Sequence, residues 1–154
     1  MRLTRAGEYA VRCVLFVAGH DFGNVVSRRE VASAMQIPDP FLSKIAQQLA
    51  RSGFIEIVQG PRGGYRLLKT PQEITLLDVV EAVEGEICLN DCVVRPESCF
   101  RNAECTVYRI WKKARDQLRE TLGEASFDTL LKGKSCISPV ARSMDGIKQH
   151  DNRR

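Results

Sequence analysis

A mainly α-helical fold with one small β-hairpin is predicted by three features of the sequence. Apolar residues recur at helical spacing through much of residues 4–52 and again through 105–124. Two short β-rich runs, FIEIV (54–58) and YRLL (65–68), flank QGPRGG, a turn of glycines and proline, and together read as a hairpin. No run of about 18 apolar residues occurs, so no transmembrane helix is expected. At 154 residues and 44% hydrophobic content, the chain can form one domain or two small ones around an apolar core.

Thr4 is placed to cap a first helix running to about His20, with Tyr9, Ala10, Cys13, Val14, Phe16 and Val17 on its apolar face. Cys13 lies on that face and reads as a small buried hydrophobe. DFGNVV is a turn. Ser27 caps the next helix, with Glu30 three residues on, as in a capping box, and with Val31, Ala32 and Met35 facing inward. QIPDP breaks it, because proline and the residue before proline both disfavour helix continuation. A third helix runs from about Asp39 to Ser52; Phe41, Leu42, Ile45, Leu49 and Ala50 set its period, and Gly53 ends it.

After the hairpin, Thr75 caps LLDVVEAVEG, with Asp78 in the position that closes a capping box. CLNDCVVRPESCFRNAEC follows at 88–105. CTVYRIWKKARDQLRETLGE then places apolar residues at 107, 110, 111, 114, 118 and 122, a long amphipathic helix with a seam suited to a partner helix. Residues 132–154 lack apolar periodicity and read as a solvated, disordered tail. The organisation expected is a head over 1–84, a cysteine loop over 85–106, a dimerisation helix over 107–131 and the tail.

The net charge of +4 is unevenly spread: +5 over residues 1–70, −5 over 71–131 and +4 over 132–154. Only the first and last segments suit a polyanion. Two short helices joined by a tight turn and followed by a glycine-bearing hairpin make a winged helix-turn-helix, whose second helix is narrow enough for a major groove. Asp39, Pro40, Phe41, Ser43 and Lys44 occupy the start of that helix, and Arg28, Arg29, Gln59, Arg62 and Arg66 would surround the duplex. Double-stranded DNA is the partner this pattern favours, although winged helices also serve as protein-interaction modules.

The first twenty residues carry an acid and a base inside their apolar stretch and do not read as a signal peptide, so a cytoplasmic chain with reduced thiols is expected. The cysteine spacing is C-x3-C-x6-C-x5-C. It lacks the C-x2-C knuckle usual for structural zinc. Longer gaps wrap something larger than one ion, and an iron–sulfur cluster needs such soft thiolate ligands. A redox pair switching by disulfide formation stands second, and zinc third. His20 and His150 read as exposed polar residues. No nucleotide loop, catalytic triad or second cofactor motif suggests an enzyme; an iron–sulfur electron carrier stays as an alternative.

MRLTRAGEYAVR at the start, GPRGGYRL in the hairpin, and three cysteines followed by a helix with Trp111 resemble the iron–sulfur winged-helix regulators that include IscR, NsrR and RirA. The resemblance runs from Met1 to about Leu131. It implies a homodimeric transcription factor, a repressor or activator, whose DNA affinity follows the state of a [2Fe-2S] or [4Fe-4S] cluster. Three cysteines between head and dimer helix hold the cluster in that family; here they are Cys92, Cys99 and Cys105. The first gap is one residue longer than in IscR-like members, and RirA-like members vary it. Tyr108 stands where IscR-like proteins place a histidine ligand. NsrR-like members use a carboxylate at position 8 from the other subunit, here Glu8, with Cys88 the competing fourth ligand.

Overall fold

The computed structural model describes residues 3–101 and 104–133. Helix α1 spans Arg5–Ala18, with the Thr4 hydroxyl accepting from the Ala6 and Gly7 amides, as the cap pattern requires. Its inner face, including Ala10, Cys13, Val14 and Val17, is the axis of the core. Around it pack α2 (Arg28–Met35), α3 (Asp39–Arg51) and α4 (Leu76–Glu84). Leu42, Ile45 and Leu49 of α3, Val31 of α2 and Val79 of α4 are buried against it, alongside Ile55 and Ile74. Strands β1 (Ile55–Val58) and β2 (Gly64–Leu67) form the antiparallel wing, Ile55 opposite Leu67 and Val58 opposite Gly64.

Cys13 is buried, and burial pushes its thiol up to about 12, which agrees with a packing role. The Thr75–Asp78 capping box forms in both directions. The box expected at Ser27 forms by half: Ser27 accepts from the Glu30 amide, but the Glu30 carboxylate lies 3.7 Å from His20 Nε2 instead. Phe41, which sets the period of α3 and also stands at its exposed start, is 52% exposed, and Ala46 is buried on the inner face.

Helices α2 and α3 end alike. Ile37 donates to Ala32 O (3.0 Å) and Phe54 to Leu49 O (3.0 Å), each bond spanning a left-handed residue and followed by a buried side chain. After α3 that residue is Gly53 (φ 73°); after α2 it is Gln36 (φ 52°), the one non-glycine residue of positive φ among those described. A side chain there costs conformational energy that glycine does not. Gln36→Gly is therefore expected to raise stability by about 0.5–1 kcal/mol. Urea midpoints would check it; a lower midpoint for the variant would show that Gln36 makes up the cost elsewhere.

Beyond α4 come a single turn α5 (Asp91–Val94), a 3-10 turn (Pro96–Ser98), the long α6 (Thr106–Glu124) and α7 (Phe127–Lys132). Helix character was expected to run to 131, but it breaks at Ala125. Ala125 O accepts from Leu76 (2.8 Å), Phe127 donates to Ile74 O (2.9 Å), and the Phe127 side chain is fully buried in the head. The backbone bonds that enter α4 thus terminate α6, and α7 folds back onto α1. The expected disordered tail lies, from residue 134 on, outside the described residues, as do Cys136 and His150.

Candidate nucleic-acid interface and cysteine segment

The exposed start of α3 and the wing tip carry the residues singled out for DNA, but they differ in availability. Arg28 on α2 grips Asp39 on α3, through Nε to Oδ1 (3.2 Å) and Nη2 to Oδ2 (3.0 Å). That bond holds the Asp39 carboxyl below its ordinary range. The pair clamps the two helices across their turn. The Ser43 hydroxyl donates back to Asp39 O (3.0 Å). Arg29, Pro40 and Lys44 are exposed, and neither Arg29 nor Lys44 has an ion-pair partner among the described residues. Phe41 projects beside them, its ring edge-on to Tyr9 with centroids 6.1 Å apart.

Gln59 and Arg62 are exposed at the wing tip, where the turn closes through Gly63 N–H to Gly60 O (2.9 Å) with Gly60 at φ 104°. Arg66 does not join them. It pairs with Glu56 at 2.5 Å, its register partner across the hairpin, and so braces the wing. Neither ion pair was legible beforehand, because both join residues in separate elements and no periodicity links them.

The four cysteines of 88–105 are free and half-buried. Cys92 sits in α5, Cys99 ends the 3-10 turn, and Cys105 caps α6, its Sγ accepting the Tyr108 amide at 3.4 Å. Among the described residues, no three His, Cys, Asp or Glu side chains gather as a metal site. The donor chemistry suits a cluster, since four unpaired thiols share one segment with no long helix or strand to hold them apart. Bringing Cys92, Cys99 and Cys105 onto one centre requires that segment to draw closer. Glu8 lies elsewhere in the chain, exposed, 3.9 Å from Arg12, and lines an open hollow of about 520 Å³ with Leu3, Thr4 and Arg5.

Two connections tie the segment to the rest. Glu84, the last residue of α4, accepts from Thr4 N (3.2 Å), Gly7 N (3.0 Å) and the Thr4 hydroxyl. A Cβ on Gly7 would stand 2.6 Å from the Glu84 carboxylate, so glycine is what admits this contact. The cysteine segment therefore begins four residues after the carboxylate that holds the first turn of α1. On the other side, Arg115 and Arg119 of α6 reach Glu81, Glu86 and the Ile87 carbonyl.

Helix α6 itself turns Val107 (53% exposed), Ile110 (65%) and Trp111 (39%) to the outside. No helix among the described residues is long and apolar enough to cross a membrane.

Residues 3–133 match the model of the Rrf2 family, described as an iron-dependent transcriptional regulator. Protein aau3 of Rhizobium meliloti is 36% identical over 140 residues, covering 90% of each chain. The transcriptional regulator IscR of Pectobacterium carotovorum is 29% identical over 154 residues, covering all of this chain and 93% of its own. The oxidized form of Staphylococcus aureus CymR is similar in structure, with a TM-score of 0.66 at 23% identity, over 86% of this chain and 97% of that one. This last likeness bears on the fold alone.

Proposed function

Since the chain belongs to the Rrf2 family of iron-dependent transcriptional regulators, we propose that it acts as a homodimer on an operator and that an iron–sulfur cluster sets its affinity for DNA. Cys92, Cys99 and Cys105 would hold the cluster, with Glu8 of the partner subunit as fourth ligand. A bound cluster supplies a redox-active, ligand-exchanging iron centre. The observation that carries this reading is the place where the cysteine segment starts: Cys88 follows four residues after Glu84, whose carboxylate holds the first turn of α1. Ordering that segment bears directly on the helix at the centre of the head.

In this reading the start of α3 enters the major groove, with Phe41, Ser43 and Lys44 toward the bases and Arg29, Gln59 and Arg62 on the phosphates. Arg28 and Asp39 keep α2 and α3 in their relative position. The outward Val107, Ile110 and Trp111 meet the same residues of a second copy, which removes apolar surface from water. Regulation is a shift between two arrangements of segment and head, and its size equals the difference in DNA affinity between them.

Footprinting on the protein's own upstream DNA, with and without iron and sulfide bound, tests the reading. A two-fold symmetric site bound with different affinity in the two states is expected; equal affinity would end cluster control. A cluster-free thiol switch is the second reading, favoured by four free, half-buried thiols in one segment. Iron and sulfide contents of the anaerobically purified protein separate the two.

Lys44→Ala and Arg62→Ala are expected to weaken DNA binding and to flatten its salt dependence, each by about one phosphate contact if the contact is to the backbone. Affinities unchanged by both substitutions at every salt concentration would rule out this docking. For the fourth ligand, Glu8→Ala should hasten cluster loss in air and loosen the link between cluster state and DNA affinity, while Cys88→Ala does neither. A carboxylate on iron is the weaker, more exchangeable donor, which suits a sensor. The reverse pattern makes Cys88 the ligand and leaves Glu8 paired with Arg12.

A further inference from the structure

The residue before the cysteine segment is held in an unusual way. Ile87 lies outside every helix and strand, yet its side chain is buried and both of its backbone polar groups are taken by side chains. Its N–H donates to Glu81 Oε1 (2.9 Å), and its carbonyl accepts from Arg115 Nε (3.2 Å). Arg115 also donates through Nη2 to Glu86, and Arg119 donates to Glu81 and lies 3.8 Å from Glu86. The Arg115 side chain is only 14% exposed. A guanidinium this far from water holds its geometry more firmly than an exposed one, and it is the group that can reach a carbonyl and a carboxylate at once. The far end of the segment, Cys105, caps the first turn of the same helix.

We propose that Arg115 is the positioning residue of the cysteine segment. By pegging Ile87 to α6, it makes residues 88–105 a loop closed at both ends on one helix. The peg lies next to Cys88 and five residues before Cys92. With it in place the chain between the peg and Cys105 has fixed end points, so drawing its thiols together costs less conformational freedom than in an open segment. The same peg connects the loop to the helix whose outward face carries Val107, Ile110 and Trp111, so a movement of the loop is felt there. Glu84 connects it in parallel to α1. This inference rests on the cysteine segment being the sensing element, as proposed above, and its core claim is a mechanical one.

The test is the rate of alkylation of each cysteine by iodoacetamide in the full-length chain, after anaerobic chelation to free all thiols, resolved by peptide mass spectrometry. Arg115→Gln should raise the rate at Cys88 by about tenfold, the loss expected for one charge-assisted bond, with a smaller rise at Cys92. Arg109→Gln, an exposed arginine on the same helix, should change neither. Cys13 is an internal monitor of folding, since it is fully buried in the head. Should Cys13 become reactive in Arg115→Gln, Arg115→Lys replaces it: lysine keeps the charge but cannot bridge the carbonyl and Glu86 together, and a rise of severalfold at Cys88 is expected. A Cys88 rate equal to wild type in whichever of these variants keeps Cys13 protected overturns the proposal. Iron retention by the wild-type chain is measured separately; its absence would defeat the cluster reading while leaving the alkylation result to stand or fall on its own.

Discussion

Cys99→Ala protein, reconstituted anaerobically with iron and sulfide, is expected to come out colourless. Cys92→Ala and Cys105→Ala should do the same, and Cys13→Ala and Cys136→Ala should not. The reason is the donor count. In the proposed cluster three thiolates from one segment would supply most of the bonding to the iron, and a carboxylate or the single further thiol of Cys88 would not restore the full set once one is lost. Cys13 cannot substitute, because it is fully buried in the head and its thiol resists ionisation. Iron and sulfide analysis with a visible absorption spectrum reads the outcome. A Cys99→Ala protein with full iron, sulfide and colour would falsify the assignment and move the third thiolate to another donor, with Cys88 the nearest free thiol in sequence to the remaining two.

The largest effect on folding is expected at the wing. Gly64→Ala should unfold at a midpoint lower by roughly 10 °C, a loss of about 3 kcal/mol or more. Gly64 starts β2 opposite Val58, and Tyr65 beside it exchanges both backbone bonds with Val26 (2.9 and 2.8 Å). A methyl on Gly64 would overlap the Val26 carbonyl oxygen and stand 2.9 Å from Ser27 Cα. These are backbone atoms, so no side chain can swing aside, and the bridge that ties the wing to the entrance of α2 must open. DNA affinity should fall with it. Gly123→Ala is the contrast: that glycine sits inside α6 with Leu77 at 3.7 Å, ordinary contact, and alanine favours helix. Calorimetry on the two variants should show opposite shifts, and a Gly64→Ala midpoint at or above wild type would mean that the wing can bend away from Val26.

Local chemistry wrote much of the architecture into the sequence. Thr4, Ser27 and Thr75 mark helix starts because a short hydroxyl side chain can reach an amide two or three residues on, within the same segment. The core faces of α1 and α3, the hairpin around Gly60 and the burial of Cys13 follow from periodicity and turn chemistry in the same way. The grouping of Cys88, Cys92, Cys99 and Cys105 is visible as spacing alone. What tertiary structure decided are the features that depend on distant residues. Ser27 and Glu30 could have closed a reciprocal box, but His20 arrives from α1 and takes the carboxylate. Apolar spacing allowed the last helix to continue to 131, but Ile74 and Leu76 take the bonds around Ala125 and divide it. Arg28 and Arg66 read as free cations in the sequence, and each meets a carboxylate from another element. Glu84 at the foot of α1 and Arg115 on Ile87 join residues 77 to 80 and 28 positions apart in the chain. Side-chain periodicity reports which face of an element is apolar; it carries no information about which polar group another element will bring to it.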